Sequence, residues 1–305
     1  MIKKILIVGG TGFLGFHLAS KCIKKGWYVT SISTHLPKKD RRVHKVKYLI
    51  LDISKKKQLK KIKSNFDYVI NFGGYVNHTK KIKTYQSHYI GCKNLVDFFL
   101  DKKIKSFIQI GSSIEYGNIL SPQIEKKIYN MKNLKSIYGK SKLLATRYVL
   151  KKSKDYNFPG LILRLYQVYG PGQYLNRFIP FIINGCIKNS SFPCSHGLQK
   201  RDFLYIDDFI NSVFKCFKYS HLYGEIINIG YGEPKKLKNI VKYIRNLING
   251  GKPEYGKIKI RKDEILETYP DIKKAKKLLK WKPKVKFKQG IKKTINFYKQ
   301  FNLSI

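Results

Sequence analysis

The sequence has no paired cysteines, no long apolar run and few acidic residues. Its five cysteines are scattered and include no C-x-x-C pair, which argues against both a disulfide framework and a zinc or other metal site. No uninterrupted apolar run approaches the roughly 20 residues that a membrane-spanning helix needs. The apolar start at 2–8 is short and leads directly into a glycine turn, so it is typical of a first strand rather than of a signal peptide. We therefore expect a cytoplasmic protein without a membrane partner.

The shortage of acidic residues produces a large positive charge. The chain of 305 residues has 63 lysines and arginines against 18 aspartates and glutamates, for a formal net charge of +45. Such an excess usually indicates a nucleic-acid partner. Here the lysines are spread along the whole chain and accompany many Ile, Asn, Tyr and Phe residues, all encoded by AT-rich codons. A compositional bias explains this pattern more simply, so no dedicated nucleic-acid function is expected.

The first half of the chain alternates short apolar runs with amphipathic stretches, which predicts a parallel sheet covered by helices. The predicted strands are Ile5–Val8, Tyr28–Ser33, Lys47–Leu51, Tyr68–Phe72, Ser106–Ile110 and Leu161–Tyr166, and the predicted helices include Gly12–Lys25, Thr84–Lys102 and Tyr138–Lys154. This is the rhythm of an α/β, Rossmann-type doubly wound fold with a dinucleotide at its switch point. We expect residues 1–170 to form that domain, to which 203–230 could return, and 171–305 to form a smaller, mainly substrate-binding α/β domain.

A glycine-rich turn marks the expected cofactor site. Gly9, Gly12 and Gly15 lie between a predicted strand and a predicted helix, where glycine permits a tight turn and the helix N-terminus offers free N–H groups to a pyrophosphate. The cofactor contacts predicted from this turn are Gly9, Thr11, Gly12, Phe13, Leu14 and Gly15.

The end of the second strand bears on the choice of cofactor. Ser33, Thr34 and the residues around them include no Asp or Glu to bind a ribose 2′-hydroxyl, and cations follow at Lys38, Lys39, Arg41 and Arg42. A 2′-phosphate suits such a site, so NADP is favoured over NAD. Farther along, Asp52 and Ile53 follow the third strand and are predicted to contact the adenine, although Asp52 could instead cap the following helix.

Catalytic chemistry is indicated by Tyr138 and Lys142, which are one helical turn apart and so share one face. The ammonium of Lys142 stabilises the ionised phenol that acid/base work requires, and it can hold a nicotinamide ribose. Ser112, after the fifth strand, could share a substrate oxygen with Tyr138, although the Ser112–Ser113 run could also be only a helix cap.

With these motifs in order, the chain resembles, almost end to end, the nucleotide-sugar epimerases, dehydratases and reductases of the extended short-chain dehydrogenase/reductase family. Further similar segments are 71–74, 164–173, 176–180, 199–208 and 271–283. The resemblance implies catalytic roles for Ser112, Tyr138 and Lys142, and it adds cofactor contacts at Phe72, Gly73 and Gly74. The substrate contacts that it implies are Ser112, Ser113, Tyr166, Gln167, Arg177, Phe178 and Arg201. Arg201 would bind the diphosphate of a nucleotide sugar, the alternative being an internal salt bridge with Asp202.

Three positions depart from the family pattern. Gln167 replaces a usual Asn near the diphosphate, and His88 replaces an Asn on the helix before Gly91. The 4,6-dehydratases carry an Asp-Glu pair after the serine, where this chain has Ser113 and Ile114. Isoleucine cannot transfer a proton, so a dehydratase is not expected.

Two enzyme reactions and one non-catalytic alternative remain open at this point. The first is an NADP-dependent reductase of a nucleoside-diphosphate 4-keto-6-deoxyhexose, which would supply a deoxy-sugar nucleotide for surface polysaccharide. The second is a nucleotide-sugar C4 epimerase with tightly bound NAD. A second acid/base in the Cys194–His196 loop would add 3,5-epimerisation. A non-catalytic or nucleic-acid-binding protein on the same fold would be expected to lose Tyr138 or Lys142. The resemblance also implies a homodimer.

Overall fold

The computed structural model describes residues 2–63, 65–125, 130–219, 222–260 and 264–302. Its strands are β1 (Lys4–Val8), β2 (Tyr28–Ser33), β3 (Lys47–Ile50), β4 (Tyr68–Asn71), β5 (Ser106–Ser112), β6 (Gly160–Leu165), β7 (Gln167–Tyr169), β8 (Ser191–Cys194), β9 (Lys200–Tyr205), β10 (Ile226–Ile229), β11 (Pro234–Lys236), β12 (Lys252–Tyr255) and β13 (Glu267–Thr268). Its helices are α1 (Phe13–Lys24), α2 (Lys81–Tyr85), α3 (Gly91–Phe99), α4 (Ile137–Tyr156), α5 (Phe178–Ile187), α6 (Ile206–Lys218), α7 (Leu237–Ile248), α8 (Lys273–Leu279) and α9 (Phe287–Asn302).

The central sheet is parallel throughout and has the strand order β3-β2-β1-β4-β5-β6-β10. The order reverses between β1 and β4, and this is the switch point at which a doubly wound sheet opens a crevice for a ligand. The predicted Rossmann-type fold is confirmed. The predicted helix Thr84–Lys102 consists of α2, a π turn at Gln86–Ile90 and α3, so it begins and ends three residues earlier than expected.

Both faces of the central sheet are buried, as a parallel sheet requires. In β1, Ile5 and Ile7 pack into one core with α1 and α6, whereas Leu6 and Val8 pack into a second core with α3. This alternation shows why the apolar runs of the strands are nearly continuous in the sequence.

The later part of the chain contributes to two places. Strand β10 pairs with β6 at the edge of the central sheet, so Ile226–Ile229 does return to it. Strand β9 instead joins a smaller sheet with β7, β11 and β13. The domain boundary near residue 170 stays a prediction. Among the helices in the described ranges, none combines the length and apolar character needed to cross a membrane.

Asp202 in β9 ties the smaller sheet to the loop after β10. Its side chain is fully buried, and its carboxylate accepts hydrogen bonds from the backbone N–H groups of Tyr231 (2.8 Å), Gly232 (2.6 Å) and Glu233 (3.3 Å). Burial raises the pKa of Asp202 to about 6, and the three N–H bonds oppose that shift by favouring the carboxylate.

Replacing Asp202 by alanine is expected to lower the free energy of unfolding by about 2–3 kcal/mol, because three backbone N–H groups lose their charged acceptor. Urea unfolding followed by circular dichroism measures the change. Asp101→Ala, at an exposed position, is the matched control. Equal unfolding midpoints for the two variants would contradict this role of Asp202.

Candidate active site

The glycine turn after β1 has the shape of a phosphate cradle. Gly9 has a φ of +78°, a conformation that glycine adopts without strain. A Cβ on Gly15 would lie 2.5 Å from the carbonyl oxygen of Gly9, so the first turn of α1 packs directly on the loop. Gly12 is the N-cap of α1, and the first turn contains no acidic residue. The free N–H groups at this end therefore suit the pyrophosphate of a dinucleotide.

The neighbouring strands hold the turn in place. A Cβ on Gly9 would lie 3.1 Å from the backbone of both Phe72 and Gly73, which shows how closely the end of β4 approaches it. The Thr11 hydroxyl lies 3.0 Å from the Ser33 hydroxyl at the end of β2 and donates to it. The structure thus brings the predicted cofactor residues of three strands together around one crevice.

Several of the predicted cofactor residues are packed rather than open. Phe13 and Ile53 are buried, and Leu14 packs against the core, so only their backbone or an edge of the side chain can face a ligand. Gly74 lies against the ring of His88.

Asp52 does not cap a helix. Its carboxylate accepts hydrogen bonds from the N–H and the hydroxyl of Ser54 (2.9 and 2.7 Å) and so closes a turn, while the cap of the following 3₁₀ turn is Lys55.

The end of β2 is polar and open. Ser33 is half-buried and Thr34 is exposed, as are the side chains of Lys38 and Lys39. Arg41 differs from the other predicted cations here, because it donates a hydrogen bond to the carbonyl of Gly172 and lies over the rings of Phe16 and Tyr174, at 5.4 and 5.2 Å from their centroids.

Tyr138 and Lys142 come together on the first turns of α4, as predicted. The helix begins after Ser136, whose hydroxyl accepts a hydrogen bond from the N–H of Gly139 (3.0 Å). Lys142 is buried, and its Nζ donates to the carbonyl of Ile110 (2.8 Å) and lies 5.9 Å from the centroid of the Tyr138 ring. The ammonium is therefore fixed beneath the end of β5, on the same side of the helix as the phenol.

Ser112 serves as a cap and keeps a proton to donate. Its hydroxyl accepts from the N–H of Ile114 (3.4 Å) at the start of the 3₁₀ turn Ser113–Tyr116. An accepting hydroxyl can still donate its own hydrogen, so capping and substrate binding are compatible. A Cβ on Gly139 would lie 3.5 Å from the Ile114 carbonyl oxygen, which places the turn that carries Ser112 against the first turn of α4.

A fully buried ion pair underlies this arrangement. Glu115 and Arg164 meet at 2.9 Å, and both side chains have no solvent exposure. The carboxylate also accepts from the N–H of Ser112 (2.7 Å) and from the hydroxyl of Thr146 in α4 (2.8 Å). Burial on its own lowers the pKa of the Arg164 guanidinium. The charge of Glu115 acts in the opposite direction, and the net effect is a raised pKa. Glu115 thus joins β5, α4 and β6.

Two histidines cover the ring of Tyr138, and sequence reasoning missed their role. The ring of His78 stacks on that of Tyr138 with 3.8 Å between centroids and 10° between planes, and His88 meets the same ring edge-on at 5.0 Å. His88 was noted in the sequence only as a departure from the family, and no motif indicated His78.

A second cleft lies in the part of the chain that follows β7. It has a volume of about 410 Å³ and is lined by, among others, Phe178, Cys194, Ser195, Gln199, Tyr255 and Glu264. The hydroxyl of Tyr255 is buried, and no hydrogen-bond partner for it lies among the described residues. Cys194 and Ser195 line this cleft, and His196 lies against Gly256. The imidazoles that contact the Tyr138 ring are those of His78 and His88, not that of His196.

The remaining predicted substrate residues are placed differently from one another. The guanidinium of Arg201 pairs with Glu264 and not with Asp202, so the alternative of an Arg201–Asp202 salt bridge is wrong. Tyr166 is buried, and its hydroxyl donates to Gln123 (2.8 Å). By contrast, Gln167 and Arg177 are exposed, and Ser113 is half-buried. Their contacts with a substrate stay predictions.

Comparison with known proteins identifies a matching family and solved structures with a similar fold. The family model described as NAD dependent epimerase/dehydratase family matches residues 5–230. A human protein named dTDP-D-glucose 4,6-dehydratase is 26% identical over 322 residues, covering 98% of this chain and 90% of that protein. The CDP-abequose synthase of Salmonella muenchen is 27% identical over 303 residues, covering 96% of this chain and 97% of that protein. A crystal structure of the UDP-glucose 4-epimerase of Thermotoga maritima with UDP-glucose superposes with a TM-score of 0.91 at 22% identity. The superposition covers 98% of this chain and 99% of that protein.

Replacing Glu115 by glutamine is expected to cost about 3–5 kcal/mol of unfolding free energy, because the buried Arg164 cation loses its counter-charge. Urea unfolding measures the loss. The double variant Glu115→Gln/Arg164→Met should recover part of it, since neither charge then remains buried. Asp155→Asn breaks the exposed pair with Lys151 and should change stability little. A Glu115→Gln protein as stable as the Asp155 variant would refute the importance of the buried pair.

Proposed function

The chain belongs to the NAD dependent epimerase/dehydratase family, whose members are extended short-chain dehydrogenase/reductase enzymes, and from that premise we propose that it is an NADP-dependent reductase. Its proposed substrate is a nucleoside-diphosphate 4-keto-6-deoxyhexose, and its product is a deoxy-sugar nucleotide for surface polysaccharide.

The observation that carries this proposal is the end of β2. Ser33 and Thr34 stand where a carboxylate would bind the ribose 2′-hydroxyl of NAD, and Lys38 and Lys39 are exposed close by in the chain. A 2′-phosphate meets no carboxylate at Ser33 or Thr34 and finds cations nearby in the chain. Preference for NADP favours a reductase, because a reductase exchanges its cofactor in each turnover whereas an epimerase retains it.

The surroundings of Ser112 argue against dehydration. Elimination of water needs one group to remove a proton and another to donate one. In the turn that follows Ser112, Glu115 is the one carboxylate, and it is buried and paired with Arg164. It cannot exchange protons with a sugar, and Ile114 has no proton to exchange.

The proposed reaction uses the residues that the fold brings together. When bound, the reduced nicotinamide supplies a hydride to C4 of the sugar. Tyr138 then donates its phenolic proton to the C4 oxygen, and Ser112 donates a hydrogen bond to the same oxygen. Lys142, held by the carbonyl of Ile110, stabilises the phenolate that remains. Arg201 and Arg177 would neutralise the diphosphate, and the cleft beside Phe178 and Tyr255 would take the nucleoside.

One observation favours a second candidate, a C4 epimerase with tightly bound NAD. Arg41, one of the cations expected at a 2′-phosphate, is engaged with Gly172 and with two aromatic rings. If the lysines alone do not bind a phosphate, the polar end of β2 accommodates NAD as well.

Incubation with NADPH and a panel of nucleotide-linked 4-keto-6-deoxyhexoses tests the reductase. We expect stoichiometric loss of NADPH absorbance and, by mass spectrometry, a gain of two hydrogens in the sugar. Tyr138→Phe should abolish both signals because it removes the proton donor. Conversion of ordinary nucleotide hexoses to their C4 epimers without net cofactor change, with NAD released only on denaturation, would instead establish the epimerase.

The choice of cofactor is tested by Ser33→Asp. A carboxylate at the end of β2 would repel a 2′-phosphate and accept from a 2′-hydroxyl, so the affinity for NADPH should fall by about tenfold or more, which corresponds to 1.4 kcal/mol. Fluorescence titration of the apo protein with NADPH and NADH measures both constants, and an NADH affinity that does not fall shows that the site is intact. Unchanged affinity for NADPH would place the 2′-phosphate elsewhere and remove the main support for NADP.

A further inference from the structure

The loop between β4 and α2 is anchored by a π turn. In that turn, at Gln86–Ile90, the Ser87 hydroxyl accepts a hydrogen bond from the N–H of Tyr75 (2.9 Å). The Nε2–H of His88 donates to the carbonyl of Tyr75 (3.2 Å). Both backbone groups of Tyr75 are therefore fixed, three residues before His78. Single π turns inside helices occur frequently at functional sites, where they present side chains that a regular helix would turn away.

The anchored loop delivers His78 to the catalytic tyrosine. Besides its parallel stack on Tyr138, His78 meets His88 edge-on at 5.7 Å between centroids. The three rings of His78, His88 and Tyr138 form one group, which we call the ring cluster.

Both imidazoles of the ring cluster are neutral around pH 7. Burial, together with the charge of Lys142, lowers the pKa of His88 to about 2, although the bond to Tyr75 acts in the opposite direction. Partial burial lowers the pKa of His78, and the charges of Arg177 and Lys142 act in the same direction. Stacking against Tyr138 therefore introduces no additional positive charge beside Lys142.

Tyr138 needs such support because of its place in the fold. It lies in the first turn of α4 and is only half-buried, so the helix alone leaves its ring free to change rotamer. Lys142 lies 5.9 Å from the ring centroid and restrains it weakly. The stacked ring of His78 covers one face of the phenol and still has an exposed side of its own.

We propose that His78 is a positioning residue, which holds the Tyr138 phenol by ring stacking in the orientation that proton transfer to the sugar requires. The proposal rests on the proposed function for the identity of the reaction, and on the ring cluster alone for the role of the ring. His88 supports it by fixing the loop at Tyr75. Proton transfer depends steeply on geometry, and a displacement of about 1 Å can cost about 100-fold in rate.

Kinetics of three variants test the proposal. His78→Ala removes the ring, His78→Phe keeps a ring without nitrogen atoms, and His44→Ala is a control at an exposed histidine. We expect His78→Ala to lower kcat by about 10- to 100-fold with little change in the KM for the sugar. His78→Phe and His44→Ala should keep kcat close to that of the unchanged protein and leave the shape of its pH profile unaltered. Full kcat in His78→Ala, or equal losses in His78→Ala and His78→Phe, would overturn positioning by stacking.

A measurement on the apo protein separates this proposal from the proposed function. With ring-labelled tyrosine, the resonances of Tyr138 are identified in NMR spectra by their loss in Tyr138→Phe. The ring current of His78 should shift these resonances, so His78→Ala should move them, whereas His44→Ala should not. Unmoved resonances in His78→Ala would refute the stack even in an active enzyme. If no sugar is reduced but the resonances move, the reductase assignment fails and the positioning contact stands.

Discussion

The buried ion pair between Glu115 and Arg164 is the constraint on which the catalytic geometry depends. Removing two charges from water costs several kcal/mol per ion, so such a pair persists only where further hydrogen bonds satisfy it. Here the Glu115 carboxylate accepts from the N–H of Ser112 and the hydroxyl of Thr146 as well as from Arg164. These partners belong to the end of β5, to α4 and to β6. A shift of any one element would strand a buried charge, so Ser112 and the helix that carries Tyr138 and Lys142 are held in one register.

The same pair limits the chemistry beside it. A carboxylate with no solvent exposure that is bound to a guanidinium cannot exchange a proton with a sugar. The groups around Tyr138 are therefore one cation, Lys142 below the phenol, and two uncharged imidazoles against its ring. This environment suits a single proton donation to an oxygen that gains negative charge. It does not provide the opposed acid and base that elimination of water requires.

Sequence reasoning succeeded where the pattern is local and failed where it depends on distant partners. Apolar runs bounded by turns predicted the strands β1 to β6 to within two residues, and the spacing of Tyr138 and Lys142 predicted a shared helical face. The stack of His78 on Tyr138 depends on a π turn that holds Tyr75, and no periodicity reports such a turn. The sequence placed Arg41 near a 2′-phosphate and Arg201 at the diphosphate, and it did not reveal the partners that they have in the structure. Their partners Gly172 and Glu264 are 131 and 63 residues away, beyond the reach of any short motif.

The pairing of Arg201 with Glu264 bears on how the proposed substrate would bind. The Arg201 side chain is only 15% exposed, and burial lowers the pKa of its guanidinium while Glu264 opposes that shift. Before binding, Glu264 thus supplies the negative charge that a largely buried cation needs. A diphosphate that takes its place contributes only the difference between the two interactions, because one charge-assisted pair is exchanged for another. Net affinity must then come from groups without a partner in the free protein. The apolar walls of the cleft beside Phe178 are such groups, so the nucleoside, more than the diphosphate, would determine how tightly the substrate is held.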